Sequence, residues 1–262
     1  MTLLPINPVR PVAPYLGGKR VLAKRLVACI EEVPHSLYAE PFVGMGGVFF
    51  RRTSRPRKEV INDISTDVVN LFRLLQRHYQ QFLDVLKWQI CSRAEFDRLR
   101  GIDPDRLTDL ERAARFLFLQ RTSFGGKVHG QSFGVTRTNA ARFDLTKLVP
   151  MLEDVHERLS SVDIERLEYA DFIKLYDTPE TLFYLDPPYY GSEGDYGLGV
   201  FSRDDFELLR DLLEGISGRF ILSINDRPEI RSLFAKFDIE DVDLNYRISG
   251  KATPARELII SN

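Results

Sequence analysis

Short apolar runs alternate with amphipathic stretches of helical period, and this alternation limits the possible folds more than any other feature. "SLYAEPF" (36–42), "EVIND" (59–63), "TLFYLD" (181–186) and "RFILSI" (219–224) read as buried strands, each short, apolar and bounded by turn residues. "GGKRVLAKRLVACIEEV" (17–33), "STDVVNLFRLLQRH" (65–78, opened by a Ser cap) and "SRDDFELLRDLLEGI" (202–216) have helical spacing. "GGVFFRRT" (46–53) predicts the start of a further helix. Strand–helix alternation of this kind gives a parallel sheet covered by helices. The alternation lapses from about 79 to 160, where "RAEFDRLR", "DLERAARFLFLQ" and "DLTKLVPMLEDVHERL" are all helical and a Gly-rich loop joins the last two. The final stretch, "FDIEDVDLNYRISGKATPARELIISN", predicts strands joined by a loop. The expected architecture is an α/β domain built from 1–78 and 161–262, with 79–160 inserted as a mostly helical region.

Composition narrows the function classes. The chain has 262 residues, 44% of them hydrophobic, enough for one large domain or one domain with an insert. Its two cysteines, Cys29 and Cys91, predict a reducing compartment with neither a disulfide framework nor a zinc site. The opening "MTLLPINPVRPVAPYL" is apolar but broken by four prolines, so it fits neither a signal peptide nor a membrane span. The net charge of −2 means that any nucleic-acid footprint must be local.

Three stations then stand out. In "TLFYLDPPYYG", Asp186 ends a buried strand, and Pro187 and Pro188 have no N–H for a neighbouring strand. A carboxylate, rigid carbonyls and the Tyr189 ring are left at a strand tip, where open α/β sheets bind ligands. "AEPFVGMGG" (39–47) runs from a strand through Gly44 and Gly46, which let a ligand approach the backbone. Asp63 ends the next strand, near the ~20-residue offset at which an acid meets a nucleotide ribose. "PYLGGKR" (14–20) adds a glycine pair before Lys19 but does not match a phosphate-binding P-loop. The histidines at 35, 78, 129 and 156 lack ligand spacing, so no metal is expected.

A local basic footprint does exist. "RTSFGGKVHGQSFGVTRTNAARF" (121–143) contains Arg121, Lys127, Arg137 and Arg142, no acid, and interleaved phenylalanines, which suits nucleic acid. "RRTSRPRK" (51–58), and Arg247, Lys251 and Arg256 near the C-terminus, are further candidates for phosphate contact.

Taken in order, "YLGGK", "AEPFVGMGGVFF", "INDIS" and "FYLDPPYYG" resemble the Dam-type adenine-N6 DNA methyltransferases, the D12 class of the alpha group, from about Tyr15 to the C-terminus. The resemblance implies a Rossmann-like class I methyltransferase sheet with a helical target-recognition insert. It implies S-adenosyl-L-methionine as methyl donor, contacted by Tyr15 and Lys19, in a pocket shaped by Glu40, Pro41, Gly44 and Gly46. Asp63 would bind its ribose, and Asp186 would lie between cofactor and target base. Asp186 and the carbonyl of Pro187 would accept the two N–H bonds of an adenine amino group and aim its lone pair at the methyl. Pro188 completes the rigid tip, and Tyr189 would stack on an extruded adenine. Double-stranded DNA is the implied partner and a cognate restriction endonuclease a candidate one, for a cytoplasmic monomer or weak dimer on DNA, of bacterial or phage origin. The family's Asn-Arg start of the basic loop reads Gln120-Arg121 here, which loosens any transfer of base contacts. Methylation of cytosine N4 or of RNA, and a catalytically silent DNA-binding regulator, remain alternatives at this stage.

Overall fold

The computed structural model describes residues 3–15, 19, 21–128, 130–134, 141–197, 199–248 and 251–262. The described residues form a seven-stranded sheet: β1 Leu37–Glu40, β2 Lys58–Asn62, β3 Asp163–Glu165, β4 Thr181–Leu185, β5 Arg219–Asn225, β6 Asp238–Ile248 and β7 Lys251–Ser261. Their spatial order is β3-β2-β1-β4-β5-β7-β6. The first five run parallel, and β7 pairs antiparallel with both β5 and β6. This is the Rossmann-like class I methyltransferase sheet that the resemblance implies. Strand order reverses between β1 and β4, so the carboxyl ends of these two strands open the crevice where such sheets bind ligands.

Helices cover both faces. On one side lie α1 Ala23–Glu32, α2 Thr66–Arg77, α3 Tyr79–Leu86, α4 Arg93–Arg100, α5 Asp109–Thr122 and α6 Leu145–Leu159. On the other lie α7 Tyr169–Tyr176, α8 Asp204–Gly215 and α9 Pro228–Leu233. β4 shows why the sheet must be sandwiched. Leu182 and Tyr184 join the first core and Phe183 and Leu185 the second, so an uninterrupted apolar run is what a central parallel strand requires. The helices between 79 and 160 share their core with α2 and the sheet, through Phe72, Phe82, Phe96 and Phe118.

Two elements differ from the sequence reading. The helix expected over 17–33 begins only at Ala23, whose N–H bonds the Lys19 carbonyl, while residues 17 and 18 lie outside the described residues. The helix expected from 46 is only a single 3-10 turn, Phe49–Arg51. Gly44 and Gly46 hold φ of 50° and 68°, Phe49 and Phe50 are buried, and Ser54–Arg55 leaves to pair antiparallel with Leu4–Pro5. Positive φ at the loop glycines turns the chain before a helix can propagate.

Candidate active site

The loop after β1 is shaped by its neighbours. Asn62 at the end of β2 donates Nδ2 to the carbonyls of Pro41 and Leu167, at 3.0 Å each, and its Oδ1 accepts from the Leu167 N–H at 2.8 Å. Asp63 uses both carboxylate oxygens on backbone N–H groups: Oδ2 on Gly44 at 2.8 Å and Oδ1 on Ser65 at 2.9 Å. It therefore ties the glycine loop to the start of α2, where Ser65 caps Val68. Burial pushes the Asp63 carboxyl up to about 6, with the two N–H donors opposing that rise. The loop leaves no room for side chains at its glycines. A Cβ on Gly44 would lie 3.0 Å from the Tyr15 ring, and one on Gly46 would lie 2.4 Å from the Phe50 ring.

Asp186 stands just beyond β4, beside this loop. Lys19, itself 1% exposed, places its ammonium 2.8 Å from Asp186 Oδ1 and 3.4 Å from Glu257 Oε2, and donates to Tyr189 Oη at 2.8 Å. The Tyr189 hydroxyl in turn donates to Glu257 Oε1, and the ammonium sits 4.3 Å from the Tyr189 ring centroid. Asp186 keeps 22% of its side chain exposed, whereas Glu257 keeps 2%. Burial raises the Asp186 carboxyl to about 6 against the lowering effect of Lys19. Glu40, at the tip of β1, is buried and accepts from Tyr38 Oη at 2.7 Å. Burial, with the Asp186 charge adding to it, pushes the Glu40 carboxyl up to about 8, against the lowering effect of the Tyr38 hydroxyl.

These groups open onto a cavity of about 1380 Å³ lined by Tyr15, Lys19, Glu40, Gly44, Asp63 and Asp186. Its apolar wall is the aromatic group Phe42, Tyr169 and Phe201, with centroids 5.4–6.0 Å apart. Pro41 and Pro188 also line it; Pro187 is buried at the tip, and Gly46 lies one turn back in the loop. Asn225 at the end of β5 accepts from the Tyr190 N–H at 2.9 Å and donates to its carbonyl at 3.0 Å, which fixes the backbone after Pro-Pro.

The basic loop is less uniformly displayed than its sequence suggests. Arg121 donates to the carbonyls of Val12, at 2.5 Å, and Arg142, at 3.2 Å; Arg142 donates to the Ser123 carbonyl at 2.8 Å. Both guanidiniums are turned onto backbone and brace the loop, because a half-buried arginine needs acceptors for its donors. Lys127 is exposed, and Arg137 lies outside the described residues. Gln120 is fully buried and clamps the carbonyls of Pro14, at 2.9 Å, and Gly126, at 2.6 Å, linking the Tyr15 segment to this loop. Arg52, inside "RRTSRPRK", is fully buried against Glu59 and so is unavailable for phosphate.

Sequence reading missed Glu257, Tyr38 and Asn225. The available signal for Glu257 was an acid at the head of the apolar run "ELIIS", an expensive place for a carboxylate without a partner.

The chain is similar to known methyltransferases along most of its length. A type II methyltransferase, M1.LlaDCHI of Lactococcus lactis subsp. cremoris, is 27% identical over 100% of this chain and 99% of its own. Another, M.CviBI of Paramecium bursaria Chlorella virus NC1A, is 22% identical over 91% of this chain and 92% of its own. Among solved structures, a precorrin 8W decarboxylase of Methanobacterium thermoautotrophicum aligns over 98% of this chain and 100% of its own at 13% identity and a TM-score of 0.42, too loose a likeness to argue from. The family described as D12 class N6 adenine-specific DNA methyltransferase matches residues 15–248, from the Tyr15 segment through both strand tips, and this chain belongs to it.

Proposed function

We propose that the protein transfers a methyl group from S-adenosyl-L-methionine to the N6 amino group of a specific adenine in double-stranded DNA, after taking that base out of the helix. The observation that carries this reading is Asp186: a carboxylate at a rigid Pro-Pro strand tip, beside a buried lysine, on the wall of a large cleft. S-adenosyl-L-methionine, when bound, supplies an electrophilic methyl on a positively charged sulfur. The residues present fit such a group. Lys19, Asp186 and Glu257 carry two formal negative charges against one positive, a surplus that favours a cation nearby. Gly44 lines the cleft without a Cβ, at a φ of 50° that L side chains rarely adopt. Tyr15, Lys19, Glu40, Pro41, Gly44, Gly46 and Asp63 would hold the donor.

The chain's own contribution is positional and electrostatic. An adenine amino group is a weak nucleophile because its lone pair is delocalised into the ring. Asp186 and the Pro187 carbonyl accept its two N–H bonds and favour a pyramidal nitrogen with the lone pair directed at the methyl. Pro188 stiffens the tip, and Tyr189 offers a face to the extruded base, whose amino group is out of reach inside a duplex. The region 79–160 serves as the target-recognition part. Lys127, and Arg137 outside the described residues, are the loop's candidates for phosphate contact, while Arg121 and Arg142 keep the loop in shape.

Transfer of a radiolabelled methyl group to DNA, followed by nucleoside analysis, tests the reading, with label expected in N6-methyladenine. Label in N4-methylcytosine, label in RNA alone, or no transfer by folded protein would each overturn it.

A further inference from the structure

Glu257 belongs to none of the sequence motifs, yet it meets two of their residues, Lys19 and Tyr189. It lies in β7, flanked in register by Asn225 of β5 and Val242 of β6, so its backbone is held from both sides. Asn225 clamps Tyr190 through both its backbone groups, and Glu257, directly across the ladder, accepts from the hydroxyl of Tyr189. The paired strands β5 and β7 thereby grip the segment after Asp186 at two successive residues, β7 through Tyr189 and β5 through Tyr190.

The same carboxylate solves a charge problem. In this structure Asp186 Oδ1 faces the Lys19 ammonium at 2.8 Å, with the Ser223 hydroxyl at 3.5 Å. Both contacts fall on Oδ1, and the second carboxylate oxygen can accept an amino group from a target base, a bond that shares the charge on which Lys19 relies. Lys19 is 1% exposed, so water does not take over the charge, and a buried ammonium without a carboxylate is strongly disfavoured. Glu257 Oε2 already stands 3.4 Å from Nζ, and Tyr189 Oη stands 2.8 Å away.

We propose that Glu257 is a positioning residue for methyl transfer, holding the Lys19 ammonium and the Tyr189 phenol in place while Asp186 accepts the amino group of the substrate base. The assignment rests on the adenine-methylation reading above. It makes the C-terminal strand part of the active site.

The test compares full-length wild type with Glu257→Gln. The amide is isosteric and still accepts from Tyr189, but its charge is gone. Turnover is expected to fall about tenfold or more, the range for loss of a hydrogen bond to a charged group, with calorimetric affinities for S-adenosyl-L-methionine and DNA changing less than about threefold. A second readout separates positioning from packing. The groups facing Asp186 among the described residues are Lys19, Glu257, Glu40, Tyr184, Tyr189 and Ser223, and the Glu257 charge raises the Asp186 pKa. Removing that charge should therefore move the acidic limb of kcat/KM to lower pH. Turnover within about twofold of wild type, or a fall in turnover with the limb unmoved, overturns the proposal. If Glu257→Gln does not fold, Glu257→Asp replaces it: the carboxylate is drawn back by one methylene, so turnover should fall while the limb stays, and wild-type turnover overturns the proposal. Wild type that leaves adenine unmethylated instead removes the reading beneath, a result distinguishable from either.

Discussion

Two buried ion clusters lie toward opposite ends of the parallel strands, and they differ in what surrounds them. Near the start of β2, Glu59 accepts from Arg52 Nη1 and from both Nη1 and Nη2 of Arg158, each at 2.7 Å. All three side chains are nearly or fully inaccessible. Two guanidiniums face one carboxylate, and the excess positive charge rests on aromatic faces: Arg52 lies 3.8 Å from the Tyr38 ring centroid and Arg158 lies 4.1 Å from that of Phe49. At the carboxyl ends, Lys19 faces two carboxylates, and one of them, Asp186, is exposed to the cleft. The closed cluster answers its surplus charge internally. The open one presents a surplus of the other sign to whatever enters. Tyr38 spans the two, with its ring under Arg52 and its hydroxyl on Glu40 at the cleft.

The comparison is most directly broken at Glu59. Glu59→Gln leaves two buried guanidiniums without a counter-ion and should cost about 3–5 kcal/mol, read by urea unfolding, while methylation per folded molecule holds. A loss under about 1 kcal/mol would place the closed cluster with ordinary surface pairs. Asp186→Asn should do the reverse. Turnover is expected to drop about 10²–10³-fold as the acceptor charge is lost, with a smaller change in unfolding free energy than Glu59→Gln produces. The pH profile follows from the same group. The Asp186 pKa is raised to about 6, so the carboxylate needed for transfer is lost as pH falls through that value, and wild-type kcat/KM should decline on the acid side there.

Tyr189→Ala removes a stacking face worth roughly 1–3 kcal/mol per base. A 2-aminopurine at the target position should then brighten less on binding than it does with wild type. Equal fluorescence and equal methylation would make the ring a strut for Lys19 and nothing more. The smallest effect is expected at the rim. Lys127→Ala should lower the log–log salt slope of DNA binding by about one unit and leave cofactor affinity unchanged. If neither slope nor affinity moves, the footprint lies on the other bases that line the cleft, such as Arg51 and Arg115.

Periodicity and local chemistry determined a good deal without any tertiary information. β1, β2, β4 and β5, the Ser65 cap of α2, the limits of α4, and the turn at Gly44 and Gly46 were legible because each depends on neighbours within a few residues. Asp186, Asp63 and Lys19 could be picked out as candidates because strand ends and glycine turns announce themselves locally. Their partners could not. Glu257 stands 71 positions beyond Asp186, and nothing in "RELIIS" says which carboxylate will meet which lysine. The short turn at Phe49–Arg51 differs from the helix expected there because its residues suit a helix locally, while the positive φ of Gly44 and Gly46 before it and the burial of Arg52 on Glu59 decide otherwise. The basic loop was overread in the same way, since a count of arginines does not reveal that Arg121 and Arg142 turn onto carbonyls. Backbone conformation and apolar patterning are short-range properties that a sequence carries on its surface. Charge compensation in a buried site is long-range, and only the sheet order, which sets β7 beside β5 and β4 beside β1, brings one lysine, two carboxylates and a phenol within hydrogen-bonding reach.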